Sequence, residues 1–135
     1  MAQRPGVRRH RVAAQVPDRL RQEVTSRATD LLSRRFRVDA AEETRARGLG
    51  FNYVVAVFGE WRGQSYYLCA KYRTPRGNPP EEFVVRTTRL AYVGFGRFDL
   101  AYFRHTNRWQ PVYSALTTQE CFETIEQEEV FWPVT

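Results

Sequence analysis

Apolar residues recur at helical spacing in the first third of the chain. Pro17 and Asp18 are typical of a helix start, because proline is tolerated in the first turn and aspartate favours the positive end of the helix dipole. The stripe that follows, ending near Arg35, consists of Leu20, Val24, Ala28, Leu31 and Leu32. Asp39 and Glu42 have capping-box spacing, so a short second helix is predicted over 40–47.

After Gly50 the apolar period changes to two, which predicts β-strands. Alternation over 51–57 and 66–72 indicates a hairpin with its turn at 59–63. The segment 74–80 holds three prolines, one glycine and one asparagine, so it predicts a loop. Three more strands are predicted at 82–93, 97–105 and 108–114. Short links between consecutive strands favour antiparallel pairing.

A C-terminal helix is predicted to open at Thr117, where Thr caps and Glu120 follows three residues later. Its Cys121, Phe122 and Ile125 are expected to face the sheet, and 131–133 to end it. The predicted fold class is α+β: an antiparallel β-meander of about five strands, packed on one face by an N-terminal and a C-terminal helix. Residues 1–15 are predicted to be a basic, disordered arm and 16–135 a single domain.

Alternation gives the predicted sheet two unlike faces. The more apolar face is expected to take the helices, and it comprises Tyr53, Val55, Leu68, Ala70, Leu100 and Tyr102. The opposite face is expected to mix aromatic, basic and small residues, namely Tyr67, Cys69, Lys71, Arg73, Arg86, Arg97 and Phe103. An aromatic content of 14% agrees with a sheet-rich core.

The C-terminal half also carries a recognisable series of residues. The series is Phe98-x-Leu100-x-Tyr102, Asn107-Arg108-Trp109, Tyr113, Leu116, Glu120, Ile125 and Phe131-Trp132. Over roughly residues 80–133, and less clearly in the first helix, it resembles a bacterial family of domains of unknown function, number 3024. The family pattern places His after Trp109, where this chain has Gln110. The resemblance implies no activity and no site.

The net charge of +6 is concentrated near the N-terminus. Residues 1–48 hold 12 Arg and 6 acidic residues, whereas residues 49–135 hold 9 basic and 9 acidic residues. Clustered Arg attracts and binds phosphate. The candidate nucleic-acid-binding residues are Arg8, Arg9, Arg11, Arg34, Arg35 and Arg37. Two alternatives remain open: the Arg excess reflects a GC-rich genome, or the first helix pairs with the acidic C-terminal segment.

A second set of candidates is aromatic. Trp61 is expected to be exposed in a turn beside Arg62, a typical interaction composition, whereas Trp109 and Trp132 are expected to pack in the core. The candidate interaction residues are Trp61, Arg62, Tyr67 and Arg73.

The inventory for catalysis is small. His10 lies in the arm, and His105 lies about 20 Å along its strand from Asp99, too far for a dyad. Cys69 and Cys121 are expected to be buried, and they give no zinc spacing and no disulfide framework. We therefore expect no metal, no cofactor, no membrane span and a reduced, cytoplasmic location.

The leading hypothesis is a non-catalytic protein that binds nucleic acid through phosphate contacts from the Arg-rich N-terminal region, aided by aromatic residues on the sheet. One alternative is a protein-interaction or homo-oligomeric module that uses the aromatic and basic sheet face. Another is a cone of curved sheet and helices that encloses a small molecule or an active site.

Overall fold

A computed structural model describes residues 14–133, and its helices and strands follow the predicted order. The helices α1 and α2 span Asp18–Arg35 and Ala40–Gly48. Five strands follow: β1 (Tyr53–Arg62), β2 (Ser65–Gly77), β3 (Pro80–Gly94), β4 (Arg97–Phe103) and β5 (Trp109–Thr117). Helix α3 (Thr118–Gln127) and a 3-10 turn (Glu129–Phe131) complete the described part. The predicted arm falls mostly in 1–13, outside the described residues.

The strands form one sheet in the order β1-β2-β3-β4-β5, and every neighbouring pair is antiparallel. Each strand therefore pairs with its neighbour in sequence, and the predicted α+β meander is confirmed. The core lies between one face of this sheet and the helices. It joins Val24 and Leu31 of α1 and Ile125 of α3 to sheet residues such as Leu68 and Leu100.

The helix starts follow the sequence signals closely. In α1, four of the five predicted stripe residues are buried, and the helix ends at Arg35 as predicted. Asp39 accepts a hydrogen bond from the Ala41 amide at the start of α2. At α3, Thr117 and Glu120 form the reciprocal bonds of a full capping box, and Cys121, Phe122 and Ile125 are buried. Capping therefore fixes where α3 leaves the sheet.

The β1–β2 turn lies later than predicted. Arg62 pairs with Ser65, so the turn is Gly63-Gln64, and residues 59–62 belong to β1. Gly59 lies within β1, opposite Leu68, and a Cβ atom at this position would overlap the Tyr66 ring. It is a packing position and not a turn residue.

The predicted loop at 74–80 is mostly strand. β2 continues to Gly77 and β3 begins at Pro80, although the pairing is irregular between Arg73 and Gly77. Pro75 has no amide to donate, and the Thr74 hydroxyl substitutes for part of the ladder. It accepts a hydrogen bond from the Glu81 amide at 3.0 Å and donates one to the Arg76 carbonyl at 2.9 Å. Side-chain bonding thus extends this hairpin past a proline.

Two strand boundaries also differ from prediction. β4 ends at Phe103 because a five-residue connection, 104–108, follows, in which the Arg104 amide donates to the Arg108 carbonyl at 2.7 Å and the Asn107 amide donates to the Arg104 carbonyl at 3.0 Å. β5 runs on to Thr117, past an irregular position at Ala115 that has φ 56°.

The alternation of β1 also differs from prediction. A register shift between Val54 and Ala56 places Val54 and Val57 opposite Tyr72 and Ala70. Strict alternation of Tyr53, Val55 and Val57 is therefore wrong.

Candidate binding site on the open face of the sheet

Helices α1 and α3 pack on one face of the sheet, and within residues 14–133 the hydrophobic core contains no residue from the centre of the other face. We call this second face the open face. Its central residues are Glu60, Tyr67, Cys69, Arg86, Arg89, Ala101, Phe103 and Trp109, which pair across the strands.

The aromatic residues of the open face form one cluster. The Trp109 ring lies 5.2 Å from the Phe103 ring and 5.6 Å from the Tyr67 ring, measured between centroids. Trp109 is on β5 and Tyr67 on β2, and in a flat sheet these strands would be about 14 Å apart. The two side chains therefore reach towards each other across β3 and β4. On β4 the residue in line with Tyr67 and Arg89 is Ala101, whose small side chain leaves space for this contact.

Two arginines border this cluster. The Arg89 guanidinium lies 4.9 Å from the Trp109 ring centroid, and the Arg86 guanidinium lies 5.9 Å from that of Tyr67. Cations stack favourably on such rings. The Arg89 Nε atom is buried and has no hydrogen-bond partner among the described residues. This donor is therefore unpaired although it is buried within the open face.

Glu60 orients Arg86. The two Arg86 donors reach the Glu60 carboxylate at 3.0 and 2.8 Å, and Arg62 adds a longer bond at 3.4 Å. Desolvation would raise the pKa of Glu60, but the hydrogen bonds from Arg86 and Arg62 outweigh it and hold the pKa below its ordinary value. Glu60 thus stays ionised and is suited to positioning a cation, not to accepting a proton.

Cys69 lies beneath the cluster and is fully buried. Burial raises the pKa of its thiol to about 11, and burial raises that of Cys121 to about 12. Both are free cysteines and hold their protons at neutral pH, so neither is an activated nucleophile. The burial predicted for both cysteines is confirmed.

The open face combines aromatic and cationic side chains. Three aromatic rings and two arginines offer stacking surfaces and donors of the kind that bind phosphate. Among residues 14–133 no three His, Cys, Asp or Glu side chains are grouped to hold a metal ion. In the same residues no helix has the length and apolar composition that crossing a membrane requires.

Comparison with known proteins places the chain in a family. The family model described as a domain of unknown function, DUF3024, matches residues 8–133. The chain belongs to this family. The match extends well beyond residues 80–133, on which the sequence resemblance rests, and includes both N-terminal helices. No curated protein and no solved structure matches the chain.

The Arg candidates of the DUF3024 domain divide into three groups. Arg8, Arg9 and Arg11 lie outside the described residues. Arg34 and Arg35 both bind the Glu126 carboxylate of α3, at 3.1 and 2.8 Å, and the Arg34 bond lowers the pKa of Glu126. The acidic C-terminal segment thus does pair with the first helix, at this point, and the two arginines are partly neutralised.

Arg37 differs from its two neighbours. It is exposed and lines the cavities beside α2 and β1, and no ion pair to it occurs among the described residues. Arg37 lies on the helix side of the sheet and is separate from the open face.

The interaction candidates of the DUF3024 domain are not one surface. Trp61 is partly buried, so its predicted exposure is wrong: it is a strand residue that packs against Tyr66, and its Nε1 donates to Thr25 Oγ1 of α1 at 3.1 Å. Arg73 bonds Glu82 and lies six residues, about 20 Å, along β2 from Tyr67. Arg62 and Tyr67 do come together, through Glu60.

Sequence reasoning missed Trp109 and Arg89 as open-face residues. Trp109 was expected in the core, but it pairs with Phe103 on the opposite side of the sheet from the helices. Alternation would put Arg86 and Arg89 on opposite faces, since they are three residues apart. A register irregularity at Leu68/Cys69 places Arg86 opposite Cys69 and Arg89 opposite Tyr67, on one face.

Proposed function

We propose that this DUF3024 domain is a non-catalytic binding protein that binds single-stranded nucleic acid on its open face. The observation that carries the proposal is the Tyr67–Trp109 contact with Arg89 stacked on Trp109, on a face that no helix covers in the described residues. Aromatic rings with neighbouring arginines, presented by a sheet, are a common way to bind unpaired bases and their phosphates.

The geometry favours single strands over duplexes. Bases can stack on Trp109 or Phe103 only when they are free of their own helix, and no described helix projects from the open face to enter a groove. Arg86 and Arg89 would contact phosphate or base edges beside the stacked base.

The Arg-rich N-terminal region remains part of the proposal. Arg8, Arg9 and Arg11 would add phosphate contacts that are independent of sequence. Arg34 and Arg35 would contribute less, because Glu126 already accepts from both. The proposal includes the cytoplasm of a bacterium as the location, which the two free, buried cysteines support.

The affinity of the full chain for a labelled 12-nucleotide oligo(dT) tests this proposal. Changing Trp109 to Ala removes the central stacking surface, and we expect a loss of about 1–3 kcal/mol, roughly five- to 150-fold in Kd. The matched control is Phe51→Ala, which truncates an exposed aromatic residue in the α2–β1 link and should leave Kd unchanged. Fluorescence anisotropy measures both, after circular dichroism has confirmed that each variant is folded.

Equal losses for the two variants, or tighter binding to a 12-base-pair duplex than to oligo(dT), would contradict the proposal. No binding at low salt, together with self-association that Trp109→Ala abolishes, would assign the open face to protein interaction instead.

A further inference from the structure

The free edge of β1 borders a groove on the helix side of the sheet, remote from the open face. One cavity, of about 580 Å³, lies between α1 and β1, and a second, of about 690 Å³, lies between α2 and the start of β1. Both are lined by Arg37, Val38 and Val57, so they form a continuous feature, which we call the β1 groove.

The backbone of β1, and not only its side chains, lines the β1 groove. Four consecutive residues, 56–59, line the cavity beside α1. Successive strand residues point to opposite faces, so all four can line one cavity only where it follows the strand edge. Beyond its bonds to β2, the backbone of β1 receives no hydrogen bond from any described residue.

The opposite edge of the sheet, formed by β5, is less able to pair with a further strand. Pro111 in β5 has no amide to donate. The Ala115 amide donates to Asp99 Oδ1 at 2.9 Å, and the Ala115 carbonyl accepts from Arg97 at 3.0 Å. β1 contains no proline and has no such side-chain bonds among the described residues. Apart from the irregularity between Val54 and Ala56, the β1 edge carries none of these protections in the described residues, and an unpaired edge is a template for a further strand.

The walls of the β1 groove suit an extended peptide. Opposite the strand edge, α1 presents the hydroxyl side chains of Thr25, Thr29 and Ser33 at helical spacing. From position 52 to position 59 the lined part of the chain is roughly 23 Å long, enough for about seven extended residues. Val54 and Val57 supply apolar contact surface.

The charged residues that line the β1 groove indicate which peptides it would bind. Glu42 and Glu43 are already paired with Arg45 and Arg47, and Asp39 caps α2. Arg37 lies where the two cavities meet and has no ion pair among the described residues. Among residues 14–133, the groove therefore offers one available cation at its centre, Arg37.

We propose that the β1 groove binds an extended segment of a partner protein, which adds a strand to the edge of β1 and places an acidic side chain at Arg37. Main-chain hydrogen bonds to β1 would supply affinity, and Arg37 would select the register. This site is independent of nucleic-acid binding on the open face.

The test begins with the full chain alone. Hydrogen exchange followed by NMR should show that the outward-facing amides within 56–59 exchange faster than the β2-paired amides of the same strand. Protection of these outward amides in the free protein would overturn the proposal, because the groove would then be filled by residues 1–13 or by a second copy.

A displayed library of random decapeptides then supplies the probe, and the enriched peptide is synthesised. We expect an acidic residue at a fixed position and about tenfold slower exchange of the outward 56–59 amides when the peptide is at ten times its Kd. The same peptide with alternate backbone amides N-methylated should not bind, because it cannot pair with a strand edge.

Arg37→Glu should weaken binding of this peptide about three- to tenfold. Arg108→Glu, an equal charge change in the β4–β5 turn, should not. The proposal is overturned if no decapeptide is enriched, if the N-methylated peptide binds equally well, or if Arg37→Glu and Arg108→Glu have the same effect.

Discussion

At the scale of single residues, the open face depends on how its cations are held. Glu60 positions Arg86 through two hydrogen bonds and so keeps its guanidinium near the Tyr67 ring. Arg89 stacks on Trp109 and keeps a buried Nε atom that has no hydrogen-bond partner among the described residues. One arginine is thus held by an ion pair and the other by stacking on an aromatic ring.

The Glu60–Arg86 pair has a consequence for stability at low pH. The folded-state pKa of Glu60 lies below its ordinary value of 4.5. The ionised carboxylate therefore contributes fully to the free energy of unfolding above pH 4.5, and this contribution is lost as the pH falls through the folded-state pKa. Glu60→Gln should cost about 1 kcal/mol at pH 7. Urea unfolding at pH 7 and pH 3 measures the difference, which should shrink towards pH 3.

A constant difference between Glu60→Gln and the unaltered chain across this pH range would show that the carboxylate charge is not what stabilises the pair. Glu81→Gln is a matched control on an exposed strand position, and it should change the free energy of unfolding by less than about 0.5 kcal/mol.

At the scale of elements, the sequence predicts helices and strands better than it predicts turns and faces. The α1 stripe and the Thr117–Glu120 capping box are local signals, so α1 starts and ends as expected and α3 starts as expected. The predicted end of α3 at 131–133 is wrong, because the helix stops at Gln127 and a separate 3-10 turn follows at Glu129–Phe131. The β1–β2 turn was misplaced because Gly59 looks like a turn residue, yet its role is to leave space for Tyr66 across the sheet. Such a contact between strands is invisible in local sequence.

The same limit applied to the open face. Alternation correctly predicts Tyr67, Arg86 and Phe103 on the open face. It does not predict Arg89 there, because the irregularity near Cys69 shifts the register of β3 against β2 by one residue. Trp109 was assigned to the core because a large aromatic residue normally fills one. Its ring instead reaches the Tyr67 ring across β3 and β4, a contact between distant strands that local sequence does not reveal.

Substitution of Gly59 tests the position of β1. Gly59→Ala should destabilise the domain by about 1–3 kcal/mol, because the added methyl group would overlap the Tyr66 ring in the core. Gly48→Ala is the matched control, since a Cβ atom there meets nothing within 4 Å. Thermal unfolding followed by circular dichroism compares them. If both variants unfold like the unaltered chain, Gly59 does not face Tyr66.

At the scale of the whole molecule, charge and aromatic surface are separated. The basic excess of the sequence lies in residues 1–48, whereas the aromatic cluster lies on β2, β4 and β5. Glu126 links α3 to α1 by accepting hydrogen bonds from Arg34 and Arg35. We therefore expect the open face to bind bases and the N-terminal arginines to add affinity that depends on salt.

The salt dependence of oligo(dT) binding checks this division. Replacing Arg8, Arg9 and Arg11 by Gln should reduce the slope of log K against log salt by about 2, since each phosphate contact to a single strand contributes about 0.7. Trp109→Ala should lower affinity with little change in slope. The reverse pattern would place stacking in the N-terminal segment.

The most direct test of the central claim is to locate oligo(dT) on the isotope-labelled full chain by NMR. The account predicts shift changes at Tyr67, Arg86, Arg89, Phe103 and Trp109, with the Trp109 indole amide among the largest, and no comparable changes along α1. Shift changes confined to α1 and to Arg34 and Arg35, with the Trp109 indole unmoved, would contradict it.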